Sequence, residues 1–155
     1  MSLAVHCPFL HILASDISPA ALQVARANVH RHQVTQQVVC VQADLLPAFR
    51  SPFDLICANL PYIPESMLPS LPPARWEPTL ALAGGPDGLD LYRRLLGQLP
   101  EALAPGGLLL LEVEETLGQA VLELVRKALP HARPELLQDL AGKDRLVRAQ
   151  AAPGI

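Results

Sequence analysis

The sequence predicts an α/β fold in which a mostly parallel, doubly wound sheet is covered by helices on both faces. Short apolar runs alternate with segments of helical periodicity, the runs contain few polar residues, and turn-forming residues separate them. Strands that are apolar on both faces are typical of parallel sheets buried on two sides. The chain has 155 residues, 50% of them hydrophobic, which is enough for one domain with a core.

The first predicted elements are a strand, a helix and a second strand. The apolar run His11–Asp16 ends in an acid, and Ser18 with the proline after it provides an N-cap and a first helical residue. Alanines and valines then recur at helical spacing over about three turns. The β-branched run Gln37–Ala43 is the second strand, and it too is followed by an acid, Asp44.

The rest of the chain continues the alternation and ends differently. Two strands and two helices are predicted in turn, at Phe53–Asn59, Leu89–Leu103, Leu108–Val113 and Leu117–Leu129, with Pro105-Gly-Gly as a turn before the fourth strand. Two last strands, Glu135–Leu137 and Arg145–Ala149, are too close together for a crossover helix, so we expect an antiparallel pair. We predict one domain over residues 1–149 and a tail over residues 150–155.

Composition excludes several classes of protein. The net charge of −3 disfavours binding of nucleic acid through a basic surface. We find no signal peptide and no apolar stretch long enough to span a membrane, so we expect a cytoplasmic protein. The three cysteines predict reduced, buried thiols, and neither they nor the five scattered histidines have metal-site spacing.

Acids at strand ends indicate a ligand site, because open α/β sheets bind ligands beyond the carboxyl ends of their strands. The Asp16 carboxylate could accept hydrogen bonds from both hydroxyls of a ribose, or it could equally cap the following helix. Asp44 could accept from an adenine amino group, although taken alone a turn residue before Leu45-Leu46-Pro47 is the favoured interpretation. Together the two acids indicate a nucleoside lying across the strand ends.

The tetrad Asn59-Leu60-Pro61-Tyr62 is the sharpest signal in the sequence. Asn59 offers an acceptor and a donor in one plane, Pro61 stiffens the turn, and the ring of Tyr62 can stack on a flat group. This set suits a planar –NH2 group whose lone pair must face an electrophile. A plain turn with a packed tyrosine is the alternative for the four residues in isolation. After a buried strand and two acid-ended strands, the functional interpretation is favoured.

Several segments resemble the HemK/PrmC family of S-adenosylmethionine-dependent methyltransferases, which modify a glutamine side-chain amide in peptide chain release factors. The resemblance runs from about Leu3 to Val147. It is carried by the segments Asp16–Leu22, Phe53–Ile63, Glu77-Pro78, Leu82–Leu89, Pro105–Gly107, Leu111-Glu112 and Asp139–Arg145.

The resemblance implies a Rossmann-like class I methyltransferase sheet, S-adenosylmethionine as methyl donor and a release factor as protein substrate. By motif, Asp16 would hold the ribose, Asp44 and Leu45 would flank the adenine, and Asn59 through Tyr62 would hold the glutamine amide, with Asn59 also near the cofactor. The family tetrad has proline where this chain has Leu60, so the turn is less rigid here.

Two features of the family are absent from this sequence. No glycine-rich turn precedes Asp16, and there is no amino-terminal helical domain that recognises release factors. Ser2–Val5 resembles the end of the helix that should follow that turn. We therefore expect a sheet truncated at its first, central strand, whose exposed edges lead the chain to self-associate with a rearranged sheet.

Two other functions remain open on the sequence alone. The chain could be a non-catalytic methyltransferase-like fragment or interaction domain that does not bind cofactor, or a nucleic-acid adenine N6-methyltransferase, which shares the tetrad. Glu112 and Arg145 are predicted to form a structural ion pair or cap, and Trp76 is predicted to be a packing anchor.

Overall fold

The computed structural model describes residues 1–46, 51–70 and 77–153, so the predicted packing role of Trp76 lies outside the described residues. The chain divides into two compact units, Met1–Ala48 and Phe49–Ile155. The described strands form a two-stranded sheet in the first unit and a four-stranded sheet in the second.

The first unit is a small α/β layer with a parallel pair of strands. Its elements are α1 (Ser2–His6), β1 (Ile12–Asp16), α2 (Pro19–Arg31) and β2 (Val38–Gln42). The parallel register runs from Ile12 opposite Val38 to Asp16 opposite Gln42. Apolar side chains from both helices, from β2 and from the connection between α2 and β2 form its core, namely Ala4, Val29, Val34 and Val38.

Helix α2 begins as the sequence predicts. Ser18 is the N-cap, and its hydroxyl accepts a hydrogen bond from the backbone N–H of Ala21 at 3.3 Å, with Pro19 at the first helical position. Because the cap fixes the start of α2 directly after β1, it also fixes the short connection that follows Asp16.

The second unit carries a mixed sheet with helices against it. Its strands are β3 (Phe53–Ala58), β4 (Leu103–Glu112), β5 (Glu135–Gln138) and β6 (Asp144–Gln150), and its helices are α3 (Asp90–Ala102) and α4 (Gly118–Ala128). Two short 3-10 helices lie at Glu65–Ser70 and Thr79–Ala81. The strand order is β3-β4-β6-β5, with β3 parallel to β4 and β6 antiparallel to both neighbours. The predicted α/β class and antiparallel carboxyl-terminal pair are thus confirmed.

The core of the second unit lies between the two helices and the sheet. In β4 the fully buried side chains are those of Leu109 and Leu111, an alternation expected for one covered face. The largest fully buried side chains of the second unit, from its helices and strands and from the residue after β4, are Tyr92, Leu99, Leu109, Leu111, Val113, Val121, Val125 and Val147.

Three local predictions differ from the structure. Pro105-Gly-Gly lies inside β4 and forms an irregularity of the strand. Gly106 has a φ of 75°, and the pairing with β3 shifts from Phe53 opposite Leu103 to Leu55 opposite Leu108. Gln150, assigned to the tail, ends β6 opposite Leu108.

Burial of the three cysteines is the third difference. Cys57 is exposed, and Cys7 and Cys40 are only partly buried. Successive side chains of a strand point to opposite faces, so the buried Ile56 leaves its neighbour Cys57 on the other face of β3.

A continuous rearranged sheet is not observed among the described strands. Strand β1 pairs only with β2, and β3 pairs only with β4, so each has an edge without a strand partner in the described part of the chain. Self-association therefore stays a prediction. None of the helices in residues 1–46, 51–70 and 77–153 is both long and apolar enough to cross a membrane.

Candidate functional site

The two acid-ended strands of the first unit reach the same edge of their sheet. Since β1 and β2 are parallel, with Asp16 opposite Gln42, Asp44 follows at the carboxyl edge to which Asp16 belongs. The N–H of Ala43 donates to the carbonyl of Asp16 at 3.1 Å, and the Gln42 amide nitrogen donates to the carbonyl of Ile17 at 3.3 Å. These bonds tie together the loops that follow β1 and β2.

Asp16 combines the two roles that the sequence left open. Its Oδ1 accepts a hydrogen bond from the backbone N–H of Ser18 at 2.8 Å, which supports the start of α2. Its Oδ2 accepts no hydrogen bond from any described residue, and the side chain is exposed. One carboxylate oxygen is thus structural, and the other is open to a ligand hydroxyl.

Leu45 has an unusual backbone for its residue type. Its φ of 59° lies in the left-handed region, which disfavours residues with a Cβ by about 1–3 kcal/mol. Such strain is found preferentially at ligand sites, where the surrounding structure fixes it. The strained residue directly follows Asp44, at the position predicted to flank an adenine.

The tetrad of the second unit borders a small cavity at the carboxyl end of β3. Asn59 follows β3 directly, and its side chain is exposed, whereas the next three residues are partly buried. The cavity has a volume of about 200 Å³. It is lined by Asn59, Leu60, Pro61, Tyr62, Ile63, Glu77, Ala81 and Leu82.

Two glycines support the tetrad from behind. The N–H of Ile63 donates to the carbonyl of Leu82 at 2.9 Å, and the N–H of Gly84 donates back to the carbonyl of Ile63 at 2.8 Å. A Cβ on Gly84 would lie 2.7 Å from the Cα of Tyr62, and a Cβ on Gly88 would lie 2.2 Å from its carbonyl oxygen. Because these two positions have no Cβ, the backbone of the loop Leu82–Leu89, called the glycine loop below, can lie directly against the tetrad backbone.

The resemblance alone connects Leu82–Leu89 with the substrate side of the family's site, and the sequence does not predict that Gly84 and Gly88 contact the tetrad backbone. Closely spaced glycines indicate a close backbone approach, but the partner, Tyr62, is more than twenty residues away in the sequence and is identified only by the fold.

An exposed ion pair holds the glycine loop to α3. The Asp87 carboxylate accepts from Arg93 at 2.5 and 2.9 Å and from the N–H of Leu89 at 3.1 Å. Arg93 also donates to Asp90 at 2.9 Å. Hydrogen bonds from the Arg93 side chain are the main cause that lowers the pKa of Asp87 to about 2.

The lowered pKa predicts a specific loss of stability in acid. Stabilisation by Asp87 is fully present above the ordinary carboxyl pKa of about 3.9 and is lost as the pH falls through the folded-state pKa of about 2. Asp87→Asn is expected to flatten the free energy of unfolding between pH 4 and 2 relative to the unmodified chain. Urea titrations across this range measure the difference, and an unchanged pH slope would contradict it.

Tyr92 anchors α3 beside the site. Its side chain is fully buried, and its hydroxyl donates to the backbone carbonyl of Glu112 at 2.7 Å, at the end of β4. Burial is the main cause that raises the pKa of Tyr92 above its usual value. The hydroxyl therefore acts as a fixed structural donor at ordinary pH.

Arg145 has a structural role, as predicted, but its partner differs from the expected one. Arg145 pairs with Asp139 at 3.3 Å and donates to the carbonyl of Val113 at 3.3 Å. No pair between Arg145 and Glu112 occurs in the described structure. The described residues also contain no group of three potential metal ligands.

Comparison with known proteins supports the predicted relationship. The chain is 46% identical over 147 residues to a release factor glutamine methyltransferase of Moorella thermoacetica, an alignment that covers 94% of this chain and 52% of the relative. The chain thus spans about half the length of the curated relatives it matches. No protein-family model matches it.

Solved structures show the same fold. A methyltransferase from Pyrococcus furiosus matches with a TM-score of 0.71 at 18% identity, covering 99% of this chain and 68% of that one. A release-factor-specific protein-(glutamine-N5) methyltransferase from Alicyclobacillus acidocaldarius matches with a TM-score of 0.51 at 21% identity, covering 93% of this chain and 81% of that one. The chain shares its fold with these solved methyltransferases. The curated relatives confirm the resemblance that the motifs predict.

Proposed function

We propose that this chain transfers a methyl group from S-adenosylmethionine to the side-chain amide nitrogen of a glutamine in a cytoplasmic peptide chain release factor. The observation that carries the proposal is the tetrad Asn59–Tyr62, which borders a small cavity at the carboxyl end of β3 and is braced from behind by two glycines. The curated relatives named for this reaction support the proposal.

The tetrad fits a primary amide. The side-chain oxygen of Asn59 and the carbonyl of Leu60 are acceptors for its two hydrogens, and the ring of Tyr62 is a surface for its plane. Held in this way, the amide nitrogen cannot rotate its lone pair away from the electrophile.

The residues of the first unit fit a nucleoside. Asp16 has an oxygen with no described donor at the carboxyl edge of β1, where a ribose hydroxyl can donate to it. The left-handed backbone of Leu45, directly after Asp44, supports the proposal that the adenine lies against this loop. When bound, S-adenosylmethionine supplies a positively charged sulfur that makes its methyl group a strong electrophile.

Catalysis then rests on positioning by the residues of this chain. An amide nitrogen is a poor nucleophile, but methyl transfer from a sulfonium needs no general base before attack. Glu77 is the one carboxylate among the described residues that line the tetrad cavity. Fixed orientation of two reactants can lower an activation barrier by up to about 7–11 kcal/mol. We propose that the tetrad, held in place by the glycine loop, contributes to this effect. The excess proton leaves the nitrogen after transfer.

A methyl-transfer assay tests the proposal. The purified chain is incubated with radiolabelled S-adenosylmethionine and an intact bacterial release factor, and the modified residue is located by mass spectrometry. We expect label on one glutamine, none on a release factor with that glutamine changed to alanine, and loss of label with Asp16→Ala. Label on an adenine-containing oligonucleotide in place of the protein would contradict the proposed substrate.

A further inference from the structure

A second cavity lies at the opposite end of the four-stranded sheet from the tetrad. Gly106, near the start of β4, borders this cavity, whereas Glu112 ends β4 on the side of the tetrad. The cavity has a volume of about 460 Å³ and is bordered by the first residue of β5 and the last residue of β6. It is large enough for an organic ligand.

The charged groups of this cavity are mostly hydrogen-bond donors. Arg133, Arg148 and His131 border it, and Glu135 is the one carboxylate among its described lining residues. Arg148 and Glu135 face each other across β6 and β5, but their closest N–O distance is 3.7 Å, beyond a direct hydrogen bond. Arg133 has no ion pair or hydrogen bond within residues 1–46, 51–70 and 77–153.

The cavity is therefore bordered by two guanidinium groups: Arg133 has no partner among the described residues, and Arg148 has only the long ion pair with Glu135. A single guanidinium satisfies a carboxylate in a two-bond fork, whereas a phosphate has three terminal oxygens and can accept from two guanidiniums at once. Beside the arginines, Ala152 and Pro153 give the lining an apolar part. A phosphate with a small apolar substituent matches both parts.

We propose that this cavity binds an organic phosphomonoester, with its phosphate between Arg133 and Arg148 and its apolar part against Ala152 and Pro153. The site is separate from the tetrad and does not depend on the proposed methyl transfer. Glu135 weakens binding of the ligand, because its carboxylate competes with the phosphate for Arg148.

Calorimetric titration of the full chain with phenyl phosphate tests the site. Arg133→Gln and Arg148→Gln are each expected to weaken binding about tenfold, which corresponds to one lost charge-assisted hydrogen bond. Glu135→Gln is expected to tighten binding, an effect that a merely structural role of this residue would not produce. Arg126→Gln is the matched control, since Arg126 is an exposed arginine on α4 paired with Glu123.

Two further titrations separate the specific site from general attraction of anions. Inorganic phosphate should bind more weakly than phenyl phosphate, and phenol should not bind. Equal affinities for the two phosphates, or equal losses with Arg126→Gln and Arg133→Gln, would overturn the proposal. If Arg148→Gln fails to fold by circular dichroism, Arg133→Gln decides, because Arg133 has no described partner to lose.

Discussion

Asn59→Ala is expected to lower kcat for methyl transfer to the release factor by about 10²–10³-fold, with a much smaller effect on S-adenosylmethionine binding. The variant removes the side-chain oxygen that is proposed to hold one amide hydrogen of the acceptor glutamine. Asn59 is exposed and lies beyond the end of β3, so its loss leaves no buried group without a partner. Steady-state kinetics with intact release factor measure the effect.

Two variants make the result specific. Asn59→Asp keeps the shape of the side chain but introduces a charge in place of the amide donor, so we expect a loss comparable to that of the alanine variant. Gln36→Ala removes an exposed side-chain amide in the turn before the amino end of β2 and should leave kcat unchanged. A rate for Asn59→Ala within about twofold of the unmodified chain would show that the tetrad does not hold the acceptor.

Gly88→Ala is expected to lower the free energy of unfolding of the second unit by about 2–4 kcal/mol and to abolish methyl transfer. Gly88 has a φ of 79°, and its added Cβ would lie 2.2 Å from the carbonyl oxygen of Tyr62. That oxygen belongs to the backbone and cannot rotate away, so the glycine loop or the tetrad must move. Urea denaturation followed by circular dichroism measures the stability.

Variants of two other glycines distinguish the effect of the close approach to Tyr62 from the cost of a positive φ and from the general effect of replacing a glycine with alanine. Gly142 has a similar φ of 77° but no heavy atom within 4 Å of an added Cβ, so Gly142→Ala should cost only about 1–2 kcal/mol. Gly97 is exposed inside α3 with open space around it, so Gly97→Ala should stabilise the chain by about 0.5–1 kcal/mol. Equal losses for Gly88→Ala and Gly142→Ala would contradict a close approach to Tyr62.

Much of the fold was predictable because the strong local signals agree with the final packing. The Ser18-Pro19 start of α2, the apolar strands and the antiparallel last pair all appear as the sequence indicates. The errors arose where tertiary pairing overrode a local rule. Pro105-Gly-Gly is a turn by local propensity, yet Gly106 and Gly107 bond to Ala152 and Ala151 and stay within β4.

The residues of the candidate site could be predicted from the sequence, but the contacts that hold them in place could not. Acids at strand ends and the tetrad are patterns of residue type, which a sequence displays directly. Contacts such as Gly88 against Tyr62, Asp87 with Arg93, and Tyr92 with the carbonyl of Glu112 join positions whose proximity depends on the folded loop. Cys57 is exposed because successive side chains of a strand point to opposite faces. A run that is apolar throughout does not show which of its residues lie on the exposed face.

Binding of the methyl donor by this chain is the central claim, and isothermal titration with S-adenosylmethionine, with S-adenosylhomocysteine alongside, tests it most directly. We predict micromolar binding of both compounds, reduced at least tenfold by Asp16→Ala, because one oxygen of Asp16 is open to the ribose. No heat of binding at millimolar concentrations of either compound, with the chain folded by circular dichroism, would contradict the account. The chain would then be a methyltransferase-like fold without a working cofactor site.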